Sequence, residues 1–361
     1  MRLFALSFLA SAAAAAAVSG IQARNETENF RFVGRVNPET RELTWPSTGV
    51  AFSFTGTTAS VLIDSFWGAA SVNIYIDGNP EAVVVPSVSA PSIDIPTLPQ
   101  GYHTVEVRKR SETYFGTFRV TDVVTDGVFG FPVVPERKIE VIGDSISVGY
   151  GLDGDLPCTD SATLQNNGLT YGAVAARALD ADYSVVAWSG KGLIRNYAQS
   201  PPDPEPPMPV VYTRYGALDP NGSFTFPSSW VPDAVVINLG TNDFSYLGVR
   251  DPVDPADLVD AFVDLIRLIH SNYPAAVFFL VSSPMLSDSY PSAEDAQKST
   301  HAQAIRDTIR RLCSLEIHFV DWPAQGAEVS CDYHPTAETQ AIGAGLLVDS
   351  ISDALGWTPA A

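Results

Sequence analysis

Four short segments of this chain hold residue types that together can carry out acyl transfer. Gly143-Asp144-Ser145-Ile146-Ser147-Val148-Gly149 offers a serine hydroxyl among small residues, just past an apolar run. Trp188-Ser189-Gly190-Lys191-Gly192 offers backbone amides, and Leu239-Gly240-Thr241-Asn242-Asp243 adds a carboxamide. Cys331-Asp332-Tyr333-His334-Pro335 offers an imidazole. Nucleophile, oxyanion donors and base are the parts that ester chemistry requires. Each segment alone has a plainer reading, because Asp and Ser cap helices and Asn favours turns. What joins the first three is that each lies just past a strand, while the fourth precedes a helix.

Those strands alternate with helices. The pattern predicts strands at 139–142, 183–187, 234–239, Val277–Val281 and Ile317–Val320. Helices are expected at 171–179, Pro255–Asn272, 293–313 and 336–355. In the second of these, Leu258, Phe262, Leu265, Ile266 and Ile269 fall on one face. Near-continuous apolar strands between helices predict a parallel sheet covered on both faces, a three-layer α/β domain. Ligands in such folds sit at the carboxyl ends of the strands, where the first three segments fall. The proline-rich stretch 199–232 lacks period and reads as a substrate-binding or lid loop.

Upstream the texture differs. From Phe30 to Asp126 short alternating strands recur, at 49–54, 59–64, 71–76 and 103–108, with an Asp77-Gly78 turn and no helical period. This predicts an all-β sandwich or jelly roll. The expected division is a signal peptide at 1–23, a β-sandwich domain at 25–135 and an α/β domain at 136–361. Residues 1–23 begin with Arg2 and continue through an Ala-rich apolar run to small-residue cleavage options, which predicts secretion. Asn25 and Asn221 head glycosylation sequons.

The 361 residues carry a net charge of −20 and are 45% hydrophobic, enough to build a core. A pI near 4.4 repels nucleic acid and anionic membrane surfaces, so neither is expected as a partner. The cysteines are Cys158, Cys313 and Cys331. In an oxidising compartment they give one pair and one free thiol, and their spacing suits no zinc site, so no metal is expected.

The four segments, in this order, resemble those of the SGNH (GDSL-type) hydrolases. With a β domain in front, the chain resembles carbohydrate esterase family 2, acetyl xylan esterases among them. The resemblance covers roughly residues 30–357 and implies a serine esterase. Ser145 would be the nucleophile and His334 the base and acid. The amides of Ser145 and Gly190 and the side chain of Asn242 would form the oxyanion hole. Asp332 is the expected third member of a triad, although the wider superfamily places its Asp three residues before the His, where this chain has Cys331. The alternative is a main-chain carbonyl on the imidazole. Asp144 and Asp243 are expected to hold loops, and the remaining histidines to lie away from the four segments.

The resemblance further implies an acetylated polysaccharide substrate, xylan or glucomannan, and no cofactor. Trp188, Tyr212 and Trp230 are the expected sugar-binding aromatics. Cys158 and Cys331 both belong near the cleft, so they are the expected disulfide, with Cys313 a buried thiol; Cys313–Cys331 is the alternative pairing. A general short-chain or lipase-like carboxylesterase, and a glycan-binding protein with a vestigial hydrolase domain, are the rival readings.

Overall fold

The computed structural model describes residues 29–360; the signal-peptide segment and Asn25 lie outside them. The first part of the chain is antiparallel throughout. Its strands are β1 (Phe30–Val33), β2 (Glu42–Leu43), β3 (Gly49–Gly56), β4 (Ala59–Gly68), β5 (Val72–Ile76), β6 (Val83–Val85), β7 (Ser92–Asp94), β8 (Gly101–Lys109), β9 (Gly116–Thr125) and β10 (Val128–Phe129). They form two sheets, one ordered β1-β3-β8-β5-β6 with β10 also on β3, the other β2-β9-β4-β7. Period-two patterning makes the core. In β8, Val105 and Val107 point inward on either side of Glu106, and they join Phe52, Val61, Ile74 and Phe118 in the core.

The second part is a five-stranded parallel sheet ordered β12-β11-β13-β14-β15. The strands are β11 (Arg137–Gly143), β12 (Ala181–Ala187), β13 (Ala234–Asn238), β14 (Val277–Val281) and β15 (Ile317–Val320). Short helices α1 (Ser145–Val148) and α3 (Met208–Val211) follow β11 and β12. The longer ones are α2 (Tyr171–Ala178), α4 (Pro255–Asn272), α5 (Gln297–Arg311) and α6 (Ala337–Leu355). Strand residues bury both ways: Val141, Val185 and Val236 face Tyr171 and Leu347 of α2 and α6, while Val235, Ile237 and Phe278 face Phe262 and Ile305 of α4 and α5. A strand without a wet face has no reason to alternate, hence the continuous apolar runs.

Chain order turns back on itself at β11, which lies between β12 and β13. A switch of this kind opens a crevice at the carboxyl ends of the strands. Ser145 follows β11 and Asn242 follows β13, so the switch sets them side by side.

The stretch 199–232 is not a lid. It links β12 to β13, and its Met208, Val211, Tyr212 and Ala217 are core. The sandwich seals it: Arg35 reaches the Tyr212 and Arg214 carbonyls, and the Trp45 indole donates to the Tyr215 carbonyl at 2.8 Å. α5 is shorter than its expected span of 293–313.

Candidate active site

The turn at Ser145 is held from several directions. Asp144 caps α1, its carboxylate accepting the Ile146 N–H at 3.0 Å. Gly149 closes the helix in the left-handed conformation, φ +83°. From α6, Gln340 donates to the Ile146 carbonyl at 3.0 Å and accepts the Tyr171 N–H at 2.8 Å. Asn167 donates to the Ser147 carbonyl at 2.8 Å. The serine side chain therefore leaves a turn with little freedom.

His334 Nε2 lies 2.9 Å from Ser145 Oγ. Its Nδ1 lies 3.2 Å from the Cys331 carbonyl, which can only accept, so Nδ1 carries the proton and Nε2 has a free lone pair toward the serine. Burial pushes the imidazole down to about 4, against the pull of the Cys331 and Asp332 carbonyls and, last, of the Asp332 charge. The ring is thus neutral across the ordinary working range.

Asp332 does not pair with the imidazole. Its carboxylate accepts the Tyr150 hydroxyl at 2.8 Å, and the Tyr150 ring stacks on the His334 ring at 4.0 Å between centroids. The expected triad carboxylate is thereby corrected to a main-chain carbonyl. The backbone explains it: Asp332 and Tyr333 are both left-handed, φ +49° and +64°, which carries the Asp332 side chain past the imidazole. Two such residues cost about 1–3 kcal/mol each and persist only where surroundings fix them. Here a Cys158–Cys331 disulfide, Cα–Cα 4.7 Å, fixes them, with the Asp332 N–H donating to the Cys158 carbonyl at 3.3 Å and Ser330 Oγ to the Gly154 carbonyl at 2.9 Å. Cys313 is the free cysteine, but it is exposed rather than buried.

Gly190 and Asn242 border the same rim. Asn242 Nδ2 donates to the Lys191 carbonyl at 2.9 Å and to Asp144 Oδ2 at 3.3 Å, which links the three strand-end segments. Gly190 is left-handed, φ +79°, and among the described residues no turn, loop or cap bond uses the N–H of Ser145 or of Gly190. Asp243 accepts the N–H groups of Leu193, Ile194 and Arg195 at 2.7–2.9 Å. Asp144, whose carboxyl burial pushes up to about 7, and Asp243 both hold loops.

The structure gathers Ser145, His334, Gly190 and Asn242, and leaves the expected sugar-binding aromatics elsewhere. Tyr212 is fully buried, its hydroxyl 2.7 Å from Glu140. Trp188 packs edge-on against Trp45 of the sandwich. Trp230 sits at the amino ends of the strands, its indole 3.3 Å from Asp182. Large aromatics near strand ends were drawn into the contact between the domains instead. The exposed rings at the rim are Tyr333, beside His334, and Tyr197, whose N–H donates to the Gly190 carbonyl at 2.7 Å. Adjacency to His334 was a signal for Tyr333. His301 was also missed: it is buried under the third segment, Nε2 2.9 Å from the Leu239 carbonyl, and nothing in its helix position marks this.

A parallel α/β sheet with a Ser–His pair at its switch point, and an Asn and a Gly alongside, is the arrangement of a GDSL-type hydrolase. Residues 141–342 match the GDSL-like lipase/acylhydrolase family and 32–131 match the carbohydrate esterase 2 N-terminal family. The chain belongs to carbohydrate esterase family 2, a family of carboxylic ester hydrolases. A solved family 2 enzyme from Corynascus thermopiles (Myceliophthora fergusii), with a carbohydrate binding domain, is 55% identical, with TM-score 0.88, covering 91% of this chain and all of that one. An acetylxylan esterase / glucomannan deacetylase of Cellvibrio japonicus is 28% identical, covering 88% of this chain and 87% of the relative. Cellulase/esterase CelE of Acetivibrio thermocellus is 32% identical over 89% of this chain, which spans only 38% of that protein's length.

Proposed function

We propose that this chain is a secreted serine esterase that removes O-acetyl groups from plant cell-wall polysaccharide, acetylated xylan or glucomannan, through an acetyl-enzyme on Ser145. The observation that carries the reading is the 2.9 Å approach of His334 Nε2 to Ser145 Oγ with the imidazole in the right tautomer. The named activity of the Cellvibrio relative supports the substrate class.

In this reading Ser145 Oγ attacks the acetyl carbonyl and its proton passes to His334 Nε2. The oxygen that becomes negative accepts from the N–H of Ser145, the N–H of Gly190 and Asn242 Nδ2, which gives up its long 3.3 Å bond to Asp144 to reach it. Collapse breaks the ester bond, and the departing sugar oxygen takes the proton from His334. Water then gives its proton to His334 and attacks the acetyl-enzyme; Ser145 recovers the proton and acetate leaves. Tyr197 and Tyr333 offer ring faces to the C–H surfaces of the sugar beside the reacting ester.

The test is a panel of acetylated xylan, acetylated glucomannan, 4-nitrophenyl acetate and a long-chain ester. Preference for the acetylated polysaccharides supports the reading. Preference for the long-chain ester would make this a lipase-like enzyme, and glycan binding without turnover a binding protein. Ser145→Ala should abolish turnover, and Asn242→Ala should cost about 10²–10³ in kcat, the usual loss for one oxyanion donor.

A further inference from the structure

Gly190 poses a physical difficulty. With φ at +79° and no Cβ, steric contacts do not determine which way the Ser189–Gly190 peptide plane faces. A flip would turn the Gly190 N–H away from the reacting oxygen, and an oxyanion donor works only within about 2.7–3.1 Å of its target. Hydrogen bonds on the peptides to either side must then fix the plane. Downstream, the Tyr197 N–H holds the Gly190 carbonyl at 2.7 Å. Upstream, the Ser189 N–H donates at 2.9 Å to Glu112 Oε2.

Glu112 belongs to the sandwich, in the loop between β8 and β9, and is 1% exposed. Its other oxygen accepts Gln165 Nε2 at 2.8 Å, and its own N–H donates to Gln165 Oε1 at 2.6 Å. This reciprocal pair fixes the Glu112 side chain. Gln165 Nε2 also donates to Asp160 Oδ2 at 2.6 Å, and Asp160 Oδ1 accepts the Gly151 N–H at 2.8 Å. One polar chain thus runs from the sandwich to the Gly190 loop, and through Gln165 and Asp160 to the loop after Ser145. Beside it Lys109 Nζ donates to the Ser111 carbonyl at 2.7 Å; burial pushes the Lys109 amine down to about 7 and the Glu112 carboxyl up, each partly offset by the charge of the other.

We propose that Glu112 is a positioning residue for ester hydrolysis: from the β domain it holds the Trp188–Ser189 peptide, and through it sets the orientation of the next peptide, so that the Gly190 N–H faces the oxyanion. This rests on the reading of Ser145 and Gly190 given above. It assigns the sandwich a part in the chemical step, distinct from glycan binding. An oxyanion donor acts on the acetyl carbonyl, which every acetyl ester shares. Loss of Glu112 should therefore lower turnover by one factor whatever alcohol leaves, whereas loss of a glycan-binding surface would weaken only the polysaccharide.

The experiment compares Glu112→Ala, Glu112→Met and Glu112→Gln in the full chain. It measures kcat and KM on 4-nitrophenyl acetate and acetylated xylan, and amide hydrogen exchange over residues 189–192. Met keeps the buried length without an acceptor, and Gln keeps an acceptor for the Ser189 N–H. The expected result is a loss of kcat of about 10–100-fold for Ala and Met, a fraction of the loss for a missing oxyanion donor. The factor should agree on the two substrates with KM changed less than about threefold, and Gln should recover to within about fivefold of the parent. Exchange at 189–192 should rise about tenfold or more in Ala and Met. Undiminished kcat in a folded Met variant overturns the proposal, as does a loss confined to KM on xylan. Failure of both Ala and Met to fold, with Gln folded and active, overturns it too by making Glu112 a structural group. If the parent hydrolyses neither ester, the esterase reading is what fails, and the exchange measurement still decides whether Glu112 holds the peptide.

Discussion

Asp332 stands two residues before His334, yet its carboxylate takes the Tyr150 hydroxyl while the imidazole faces the Cys331 carbonyl. The difference has a kinetic signature. A carboxylate on Nδ1 would stabilise the imidazolium and raise its titration, and removing it would cost roughly 10⁴ in rate. A carbonyl stabilises it less. Asp332→Asn, which can still accept from Tyr150, should therefore lose only a few-fold. The sign of the pH effect follows from burial. The neutral imidazole is the active form and burial pushes its titration down to about 4, so the acid limb of kcat/KM should lie well below the ordinary value of about 6.5. Profiles of parent and Asp332→Asn from pH 3.5 to 8 should show limbs that nearly coincide. A limb near or above 6.5 in the parent that drops in the variant would restore the carboxylate to the imidazole. The sequence showed the Ser, His, Gly and Asn because their types carry the chemistry. It concealed the partner of Nδ1 because that depends on two left-handed residues, neither of them glycine.

Elements built on period were legible; α4 is bounded as expected, because Leu258, Phe262, Leu265, Ile266 and Ile269 meet the sheet at helical spacing and Asp254 caps it. The 199–232 stretch was not, because its buried residues have no period and their partners, Arg35 and Trp45, lie far back in the chain. α5 begins late because Ser292 and Asp295 close a loop at 2.6 Å and Ala296 is left-handed. The third segment shows an element fitted to its support. Gly240 has φ +110°, and a Cβ there would stand 2.7 Å from His301 Nε2. Gly240→Ala should cost about 1–3 kcal/mol from the backbone alone, read as a lower urea midpoint. Because Asn242 follows two residues on, kcat should fall as well. A variant with unchanged midpoint and kcat would mean that the turn accommodates a side chain freely.

The two-part division of the molecule could be read from texture, but not how firmly the parts are joined. Arg35 from the sandwich meets Glu140 of β11 at 2.8 Å with both side chains buried, and Tyr212 donates to the other Glu140 oxygen. Arg108 of β8 lies over the Tyr183 ring at 3.9 Å and donates to the Tyr183 carbonyl at 3.2 Å. Arg35, Glu140 and Arg108 are thus fasteners between the domains. Arg35→Ala should leave Glu140 buried without its cation and cost about 3–5 kcal/mol, as breaking a buried pair does. Calorimetry should show the whole chain melting earlier in one transition. A separate early transition for the sandwich, with the hydrolase domain unaffected, would show that the two fold independently.

The Cys158–Cys331 bond closes a covalent ring of 173 residues in sequence separation, with β12, β13, β14 and β15 all inside it. Exposed stretches of the hydrolase domain, at Pro220–Ser223 and Leu247–Val249, are inside it too. A protease that cuts there opens the ring without releasing a fragment, since both new ends remain tethered through the sulfurs. Nicked enzyme should run as a single band without reductant and as two with it. Digestion that sheds a piece before reduction would place the first cut outside the ring.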